Sequence, residues 1–506
     1  MSDIHFGTDG WRAVIGQDFT YESVHEAATA IAEVFAQDAP TDLDDVHLLV
    51  GYDMRFEADA FAAAVAEVLA QRGFEVRLSD RPIPTPGLCC CIALDEQAIG
   101  GVMLTASHNP SAWLGIKVRM ADGGASPSTF TDRIEHVLEA AQDESRAKTP
   151  SGASRTDLDK LTAECDCALQ SLPPSSPGSR PPQMVDLVDQ YLDHVRASMR
   201  EFAPPEPVEA TPIKIVIDPM FGAGQELLAE LMREQEVEVV EIHAERNPGF
   251  GGLHPEPIPP WTDQAAEAVI EHGASAAFLV DGDGDRIGAI DENGNFVSPH
   301  RILALLAQHL VEDLGRDGRI IKTLALSNTI DRLGAQLGKE VEVRPIGFKW
   351  VYEEMLKGDV LIGGEESGGI GIAQHVRERD GLLMALLLLQ MMRVRGKTLG
   401  QLVNDLLDRV GTMYYLRRDL TLDEETAQRF RTDLVHSSPT QMAGRPVREI
   451  ERLDGLKLHF DDDEWLLLRG SGTEPLIRIY AEANTPEQMT AYLDAGSAFV
   501  QGESVS

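Results

Sequence analysis

Helical and strand periodicities alternate along most of the chain. Val24, Ala27, Ala28, Ile31, Val34 and Phe35 recur at helical spacing and predict an amphipathic helix. Residues 47–50 then read as a short strand ending at Gly51, Tyr52 and Asp53, residues 61–69 as a helix, 75–78 as a strand and 82–86 as a loop. The apolar run 99–104, broken by Gly100 and Gly101, predicts a buried strand that Pro110 closes off, and 114–118 predicts another. Leu187, Val188, Tyr191, Leu192, Val195 and Met199 begin a new helix, and 213–217 a strand that ends at Asp218 and Pro219. Strand followed by turn recurs at 50–53, 213–218 and 361–365, a faint internal repeat. Such alternation indicates mostly parallel sheets with helices on both faces, an α/β class. From about Gly411 the strands 413–416, 457–460, 465–468 and 476–481 dominate, with an amphipathic helix at 486–499, which predicts a smaller α+β domain.

At 506 residues the chain is long enough for three or four cores, and 43% hydrophobic content permits ordinary burial. Residues 143–182 break the pattern, and the Ser/Pro-rich stretch 171–182 reads as an exposed linker or insertion. The longest apolar run, 382–389, is too short to cross a bilayer and predicts a buried helix. Residues 1–11 are polar and lack the apolar core of a secretory leader. Five cysteines (Cys89, Cys90, Cys91, Cys165 and Cys167) show no metal-binding C-x-x-C spacing and suggest free thiols in a reducing cytoplasm.

Charge changes the picture more. Asp and Glu total 83 against 44 Lys and Arg, a net charge of −39, and only ten of the cations are lysine. A surface this negative repels nucleic acid and anionic membranes, so any phosphate site must be locally cationic. The balance also suits a halophilic enzyme in concentrated salt, which screens the self-repulsion.

Seven stretches carry candidate chemistry. Residues 104–110 read L-T-A-S-H-N-P, with Ser107 on a loop at a strand end. A serine there, beside His108, is a candidate nucleophile. An ordinary Ser/Asn-Pro turn would have the same composition. Lys117 falls inside an apolar strand, which is costly unless its charge is used. Residues 7–12, G-T-D-G-W-R, form a tight turn that would aim Arg12 inward. Residues 281–286 read D-G-D-G-D-R. In an extended backbone Asp281, Asp283 and Asp285 would share one face and suit Mg²⁺. A calcium EF-hand would need glycine where Arg286 stands, and flanking helices rather than apolar strands. Lys349 sits on a Gly-led loop entering a helix. The glycine-framed G-G-E-E-S-G-G-I at 363–370 offers Glu365 and Ser367 to a polyol, and R-G-S-G-T-E-P-L-I-R at 469–478 offers phosphate donors in Arg469, Ser471, the Gly472 backbone, Thr473 and Arg478.

T-A-S-H-N-P, D-G-D-G-D-R, G-E-E-S-G-G and R-G-S-G-T, in this order and spacing, resemble the α-D-phosphohexomutase superfamily, the phosphoglucomutase and phosphomannomutase enzymes. The resemblance runs from Gly7 to Arg478. It implies three related α/β domains with mixed, mostly parallel sheets, at 1–150, 183–297 and 298–408, and a smaller C-terminal α+β domain at 411–506, around a central cleft. By the same resemblance Ser107 carries a phosphoryl group, and its oxygen joins Asp281, Asp283 and Asp285 in holding one Mg²⁺. Glu365 and Ser367 would bind sugar hydroxyls, and the 469–478 loop the non-reacting phosphate. Arg12, Lys117, Arg286 and Lys349 would complete a cationic site. The implied reaction passes through a hexose 1,6-bisphosphate, with Lys117 and His108 as candidate proton carriers and Lys349 next. The substrate would be a phosphosugar; nothing in the sequence fixes an oligomeric state. Gly369 departs from the histidine that some bacterial members carry, which leaves the choice of sugar open between glucose or mannose and glucosamine. A serine hydrolase would need a G-x-S-x-G elbow, which does not surround Ser107.

Overall fold

The computed structural model describes residues 4–7, 9–40, 42–148, 180–206, 212–470 and 475–502. The Ser/Pro-rich stretch up to residue 179, Cys165 and Cys167, and Ser471, Gly472 and Thr473 of the candidate phosphate loop lie outside these residues.

Three sheets share one plan. The first contains β1 (Trp11–Val14), β2 (His47–Tyr52), β3 (Glu75–Ser79), β4 (Ala98–Leu104), β5 (Trp113–Met120) and β6 (Gln183–Val185), in the order β1-β5-β4-β2-β3-β6. The second contains β7 (Ile213–Asp218), β8 (Val237–Glu241), β9 (Ala276–Val280), β10 (Ile287–Asp291) and β11 (Phe296–Val297), ordered β11-β10-β9-β7-β8. The third contains β12 (Arg319–Thr323), β13 (Val341–Arg344), β14 (Val360–Gly364) and β15 (Ile370–Gly371), ordered β13-β12-β14-β15. In each, a central strand lies parallel to both neighbours, and one neighbour then doubles back as an antiparallel strand: β4 into β5, β9 into β10 and β14 into β15. The three sheets are therefore mixed, with more parallel than antiparallel pairings. The three doubling-back turns are the T-A-S-H-N-P, D-G-D-G-D-R and E-E-S-G-G segments.

This plan corrects the repeat read from the sequence. Strands β2 and β7 are equivalent, and the aspartates at their ends are both buried and accept a hydrogen bond from the backbone N–H two residues on. Their counterpart in the third sheet is β12, whereas 361–365 belongs to β14, the equivalent of β4 and β9. A second correction concerns 82–86: the helix Thr85–Leu94 starts inside that stretch, since proline is well tolerated in a first helical turn.

The fourth sheet is antiparallel, with β16 (Tyr414–Thr421), β19 (Glu449–Glu451), β20 (Leu456–His459), β21 (Trp465–Gly470) and β22 (Leu476–Ala483) ordered β16-β22-β21-β20-β19. The strands β17 (Gln441–Met442) and β18 (Arg445–Pro446) form a separate hairpin, and the helix Pro486–Gln501 packs on the sheet. The helix Gly381–Arg395 is buried along the whole apolar run 382–389, in one cluster with parts of the first three sheets, which explains a helix apolar all round. Cys89, Cys90 and Cys91 are buried free thiols. Among the described residues no helix is long and apolar enough to cross a membrane.

Candidate active site

Ser107 lies just past the end of β4 with φ of +49°, a left-handed conformation that a non-glycine residue holds only under external constraint. That constraint is visible. The Ser107 N–H donates to Thr105 Oγ1 at 2.8 Å, and Thr105 Oγ1 donates to Asp53 Oδ2 at 2.6 Å. The buried Arg55 donates to the carbonyls of Ser107, Asn109 (2.7 Å), Pro110 (2.9 Å) and Trp113 (3.0 Å), and its Nε is 3.2 Å from Asp53 Oδ2. One guanidinium thus ties down the whole serine loop from the end of β2. The Ser107 hydroxyl donates to Asp281 Oδ2 at 2.8 Å.

Asp281, Asp283 and Asp285 do not lie on an extended strand. They occupy the turn between β9 and β10, which closes on itself as Asp281 Oδ1 accepts from the N–H groups of Asp285 (3.0 Å) and Arg286 (3.1 Å). The turn abuts the serine loop so closely that a Cβ on Gly282 would stand 2.5 Å from the Ser107 carbonyl oxygen. Ligand atoms of the three aspartates fall within 4.8 Å of one another, and Oδ1 of Asp283 and of Asp285 are buried without a hydrogen-bond partner among the described residues. Three clustered buried carboxylates, two of them with an unused oxygen, fit one hard divalent cation such as Mg²⁺. Burial, then the charges of Asp283 and Asp285, push the Asp281 carboxyl well above the usual range.

Lys117 reaches this turn from β5, with Nζ 2.8 Å from Asp283 Oδ2, 3.2 Å from Asp285 Oδ2 and 2.9 Å from Asp9 Oδ2. Burial opposes its charge, but these three carboxylates outweigh burial and raise its pKa, so Lys117 is held as an ammonium. Arg286 places Nε 4.0 Å from Asp281 and 3.9 Å from Asp285, yet that Nε has no hydrogen-bond partner among the described residues, which leaves a donor for an incoming anion. Arg12 donates to Asn109 Oδ1 at 2.8 Å and lies 3.7 Å from Asp9. Burial, together with Arg286 and Arg12, lowers the His108 pKa well below its ordinary value, so the imidazole is neutral. Glu365, in the turn after β14, is buried, and burial pushes its carboxyl up to about 7 despite Arg379.

The structure therefore gathers Ser107, His108, Lys117, Arg12, the three aspartates, Arg286 and Glu365, with Ser367 in the same turn as Glu365. Lys349 stands in the first turn of the helix Phe348–Lys357 with its ammonium 4.9 Å from the Trp350 ring centroid. Arg469 and Arg478 face each other across β21 and β22, where Arg469 Nε donates to Asp454 at 3.0 Å and Arg478 Nε is buried without a partner among the described residues. Among the described residues, none of these three is ion-paired to the constellation. Residues the motifs do not bring in are Arg55, Arg119, Glu378 and Arg379; Asp9 enters its motif only as a turn residue. Arg119 pairs with Asp9 (3.3 Å) and Glu378 (3.0 Å).

Comparison with known proteins identifies the family of the chain. The models for the phosphoglucomutase/phosphomannomutase α/β/α domains I, II and III match residues 3–145, 189–294 and 298–410, and that for the C-terminal domain matches 435–496. A phosphoglucosamine mutase of Frankia alni is 30% identical over 491 residues, covering 95% of this chain and 94% of its own. A phosphoglucomutase/phosphomannomutase of Thermococcus kodakarensis is 27% identical over 494 residues, 97% of each chain. The crystal structure of a Thermus thermophilus protein, provisionally named a phosphomannomutase, superposes with a TM-score of 0.80 at 32% identity, covering 99% of this chain and 100% of that one. With its four domain models matched in sequence from residue 3 to residue 496, the chain belongs to the phosphoglucomutase/phosphomannomutase family of the α-D-phosphohexomutase superfamily and is a phosphohexomutase.

Proposed function

We propose that the protein interconverts hexose 1-phosphates and hexose 6-phosphates, with glucose preferred and mannose accepted, through a phosphoserine at 107 and a hexose 1,6-bisphosphate. The observation that carries this reading is the Ser107 hydroxyl at 2.8 Å from Asp281, in a turn whose carboxylates also engage Lys117. Phosphoryl transfer needs alignment and charge neutralisation more than covalent help. Bound by Asp281, Asp283, Asp285 and an oxygen of the phosphorylated serine, Mg²⁺ supplies part of that neutralisation.

The chain's own groups supply the rest. Lys117, Arg12 and Arg286 hold the transferring phosphoryl group against the −39 net charge of the chain. The phosphoserine gives its phosphoryl group to one sugar hydroxyl, whose proton leaves to a nearby base; the bisphosphate reorients, and the Ser107 oxygen recovers the other phosphoryl group as a proton returns to the sugar oxygen. Neutral His108 is suited to accept such a proton, and Lys117, held charged, to stabilise the oxygens. Glu365 and Ser367 orient the ring through its hydroxyls, and Lys349 completes the cationic site. Arg469, Ser471, Gly472, Thr473 and Arg478 grip the phosphate that is not reacting.

The preference for glucose rests on the G-E-E-S-G-G loop, which lacks the glutamine form of phosphoglucosamine mutases. Glucose and mannose differ only at C2, and a loop that reads other hydroxyls discriminates weakly there. A second reading, glucosamine 1-phosphate as substrate, is favoured by relatives such as the Frankia alni and Heliobacterium modesticaldum phosphoglucosamine mutases, 30% and 28% identical. The test is kcat/KM for glucose, mannose and glucosamine 1-phosphates, with intact-mass analysis for the phosphoryl group. A preference for glucosamine 1-phosphate decides for the second reading.

A further inference from the structure

Arg379 belongs to none of the motifs, yet it is buried where loops of three sheets meet. Its backbone is fixed by the next residue. Asp380 caps the helix Gly381–Arg395 by accepting from the Leu382 and Leu383 N–H groups at 3.0 Å each, and its carboxylate is held by His375 Nε2 (2.7 Å) and the Tyr191 hydroxyl (3.0 Å). From that anchor the guanidinium spans three loops. Nη2 is 3.0 Å from Asp9 Oδ2 and 2.7 Å from Asp285 Oδ2, and Nη1 is 3.3 Å from Glu365 Oε2. Among the described residues, no other side chain hydrogen-bonds to the Glu365 carboxylate.

The methylenes of Arg379 pass directly over Gly369. A Cβ at position 369 would stand 2.3 Å from Arg379 Cδ, 3.1 Å from Arg379 Cγ and 3.1 Å from Glu365 Oε2. Glycine is needed there for space: without a side chain at 369, the chain leaves room for an arginine arriving from another element.

We propose that Arg379 is a positioning residue for the sugar subsite: it fixes the Glu365 carboxylate for the substrate hydroxyls, and Gly369 is the residue that admits it. The proposal rests on the reading of Glu365 as a sugar contact. A planar guanidinium can hold Asp285 and Glu365 at once through separate nitrogens, whereas the single ammonium of a lysine cannot reproduce that span. Without it, Glu365 would be a buried carboxylate with no fixed direction.

The test uses the full-length enzyme with glucose 1-phosphate and Mg²⁺ varied independently, and the variants Glu365→Gln, Arg379→Ala, Arg379→Lys, Gly369→Ala and the pairwise combinations with Arg379→Ala. Arg379→Ala should raise the sugar KM by roughly tenfold or more, with a smaller change in kcat and with Mg²⁺ half-saturation within about twofold. Glu365→Gln should add less than about threefold to it, because the two act as a unit. Gly369→Ala should be damaging alone and nearly neutral beside Arg379→Ala. If Arg379→Ala does not fold, Arg379→Lys, which keeps the charge, should fold and show the same rise in KM. Full additivity with Glu365→Gln, or an unchanged sugar KM with a raised Mg²⁺ requirement, overturns the proposal, as does equal damage from Gly369→Ala in both backgrounds. An impaired Glu365→Gln enzyme beside an unimpaired Arg379→Ala enzyme removes the inference alone. An unimpaired Glu365→Gln enzyme removes the sugar-contact reading and the inference with it.

Discussion

The hydroxyl of Ser107 donates to Asp281 Oδ2 at 2.8 Å, although the two residues are 174 positions apart and belong to different sheets. The contact joins the doubling-back turn of the first sheet to that of the second. A phosphoryl group on Ser107 would thus sit against the aspartate triplet. Ser107→Ala should abolish mutase turnover and remove any phosphoryl mass from the intact protein, while the melting temperature stays close to wild type. Near-normal turnover by this variant would rule out a phosphoserine route.

The aspartates lead to a metal prediction. Chelation by EDTA should stop turnover and added Mg²⁺ should restore it. Asp283→Asn removes one charged oxygen ligand and leaves Lys117 with one carboxylate fewer at 2.8 Å, so the Mg²⁺ concentration for half-maximal rate should rise at least tenfold, about 1.4 kcal/mol. Full activity in a metal-free preparation would contradict the assignment.

Arg55 gives a prediction that separates loop geometry from chemistry. Its guanidinium binds four carbonyls of the serine loop and pairs with buried Asp53. Arg55→Met leaves that carboxylate without its cation and should cost about 3–5 kcal/mol in chemical denaturation. Changing both members, Arg55→Met with Asp53→Asn, should recover part of that stability but not the activity, since Ser107 loses its restraint at positive φ either way. Recovery of both would mean that the pair is only structural.

How far the sequence reaches is seen in these same residues. Ser107 and the three aspartates stand in contiguous stretches whose composition is itself the signal, and the alternation of helix and strand periods is a local property. The aspartates converge nonetheless through a turn closed on Asp281 Oδ1, not through the extended backbone that their spacing suggests. Arg55, Arg119 and Arg379 are invisible for a different reason. Each is made functional by acids or carbonyls far away in the chain, and in sequence a buried, paired arginine looks like any surface arginine. The Arg379–Gly369 relationship is of this kind: the glycine announces a missing side chain but not what fills the space.

The net charge of −39 makes a prediction about salt. Thermal stability should rise as KCl approaches molar levels, where the Debye length shrinks to about 3 Å and the repulsion among exposed carboxylates is screened. Melting curves across a KCl series read this directly. A flat or falling melting temperature would remove salt adaptation as the reason for the composition.

The last prediction concerns the seam between the C-terminal sheet and the third sheet. Lys457, on β20, is buried there: its ammonium donates to the Leu324 carbonyl at 2.7 Å and lies 4.2 Å from the Trp465 ring centroid. Burial, reinforced by Lys322, lowers its pKa to about 7. In the unfolded chain the same lysine titrates near about 10.4, so between these two values the unfolded state binds more protons than the folded state. The stability associated with this depressed pKa is therefore fully present above the unfolded value and is lost as pH falls toward 7. Lys457→Met removes the titration and keeps the volume. Relative to this variant, the wild type should lose about 1.4 kcal/mol for each pH unit through the middle of that window, and the difference should level off below pH 7. Paired denaturation curves of the two proteins from pH 6 to pH 10 measure it, because groups remote from Lys457 titrate alike in both and the neighbouring carboxylate Glu451, held below its usual range, titrates below this window. A difference independent of pH would show that Lys457 keeps its ordinary proton affinity, with the Leu324 carbonyl and the Trp465 ring sufficient to hold the charge at the seam.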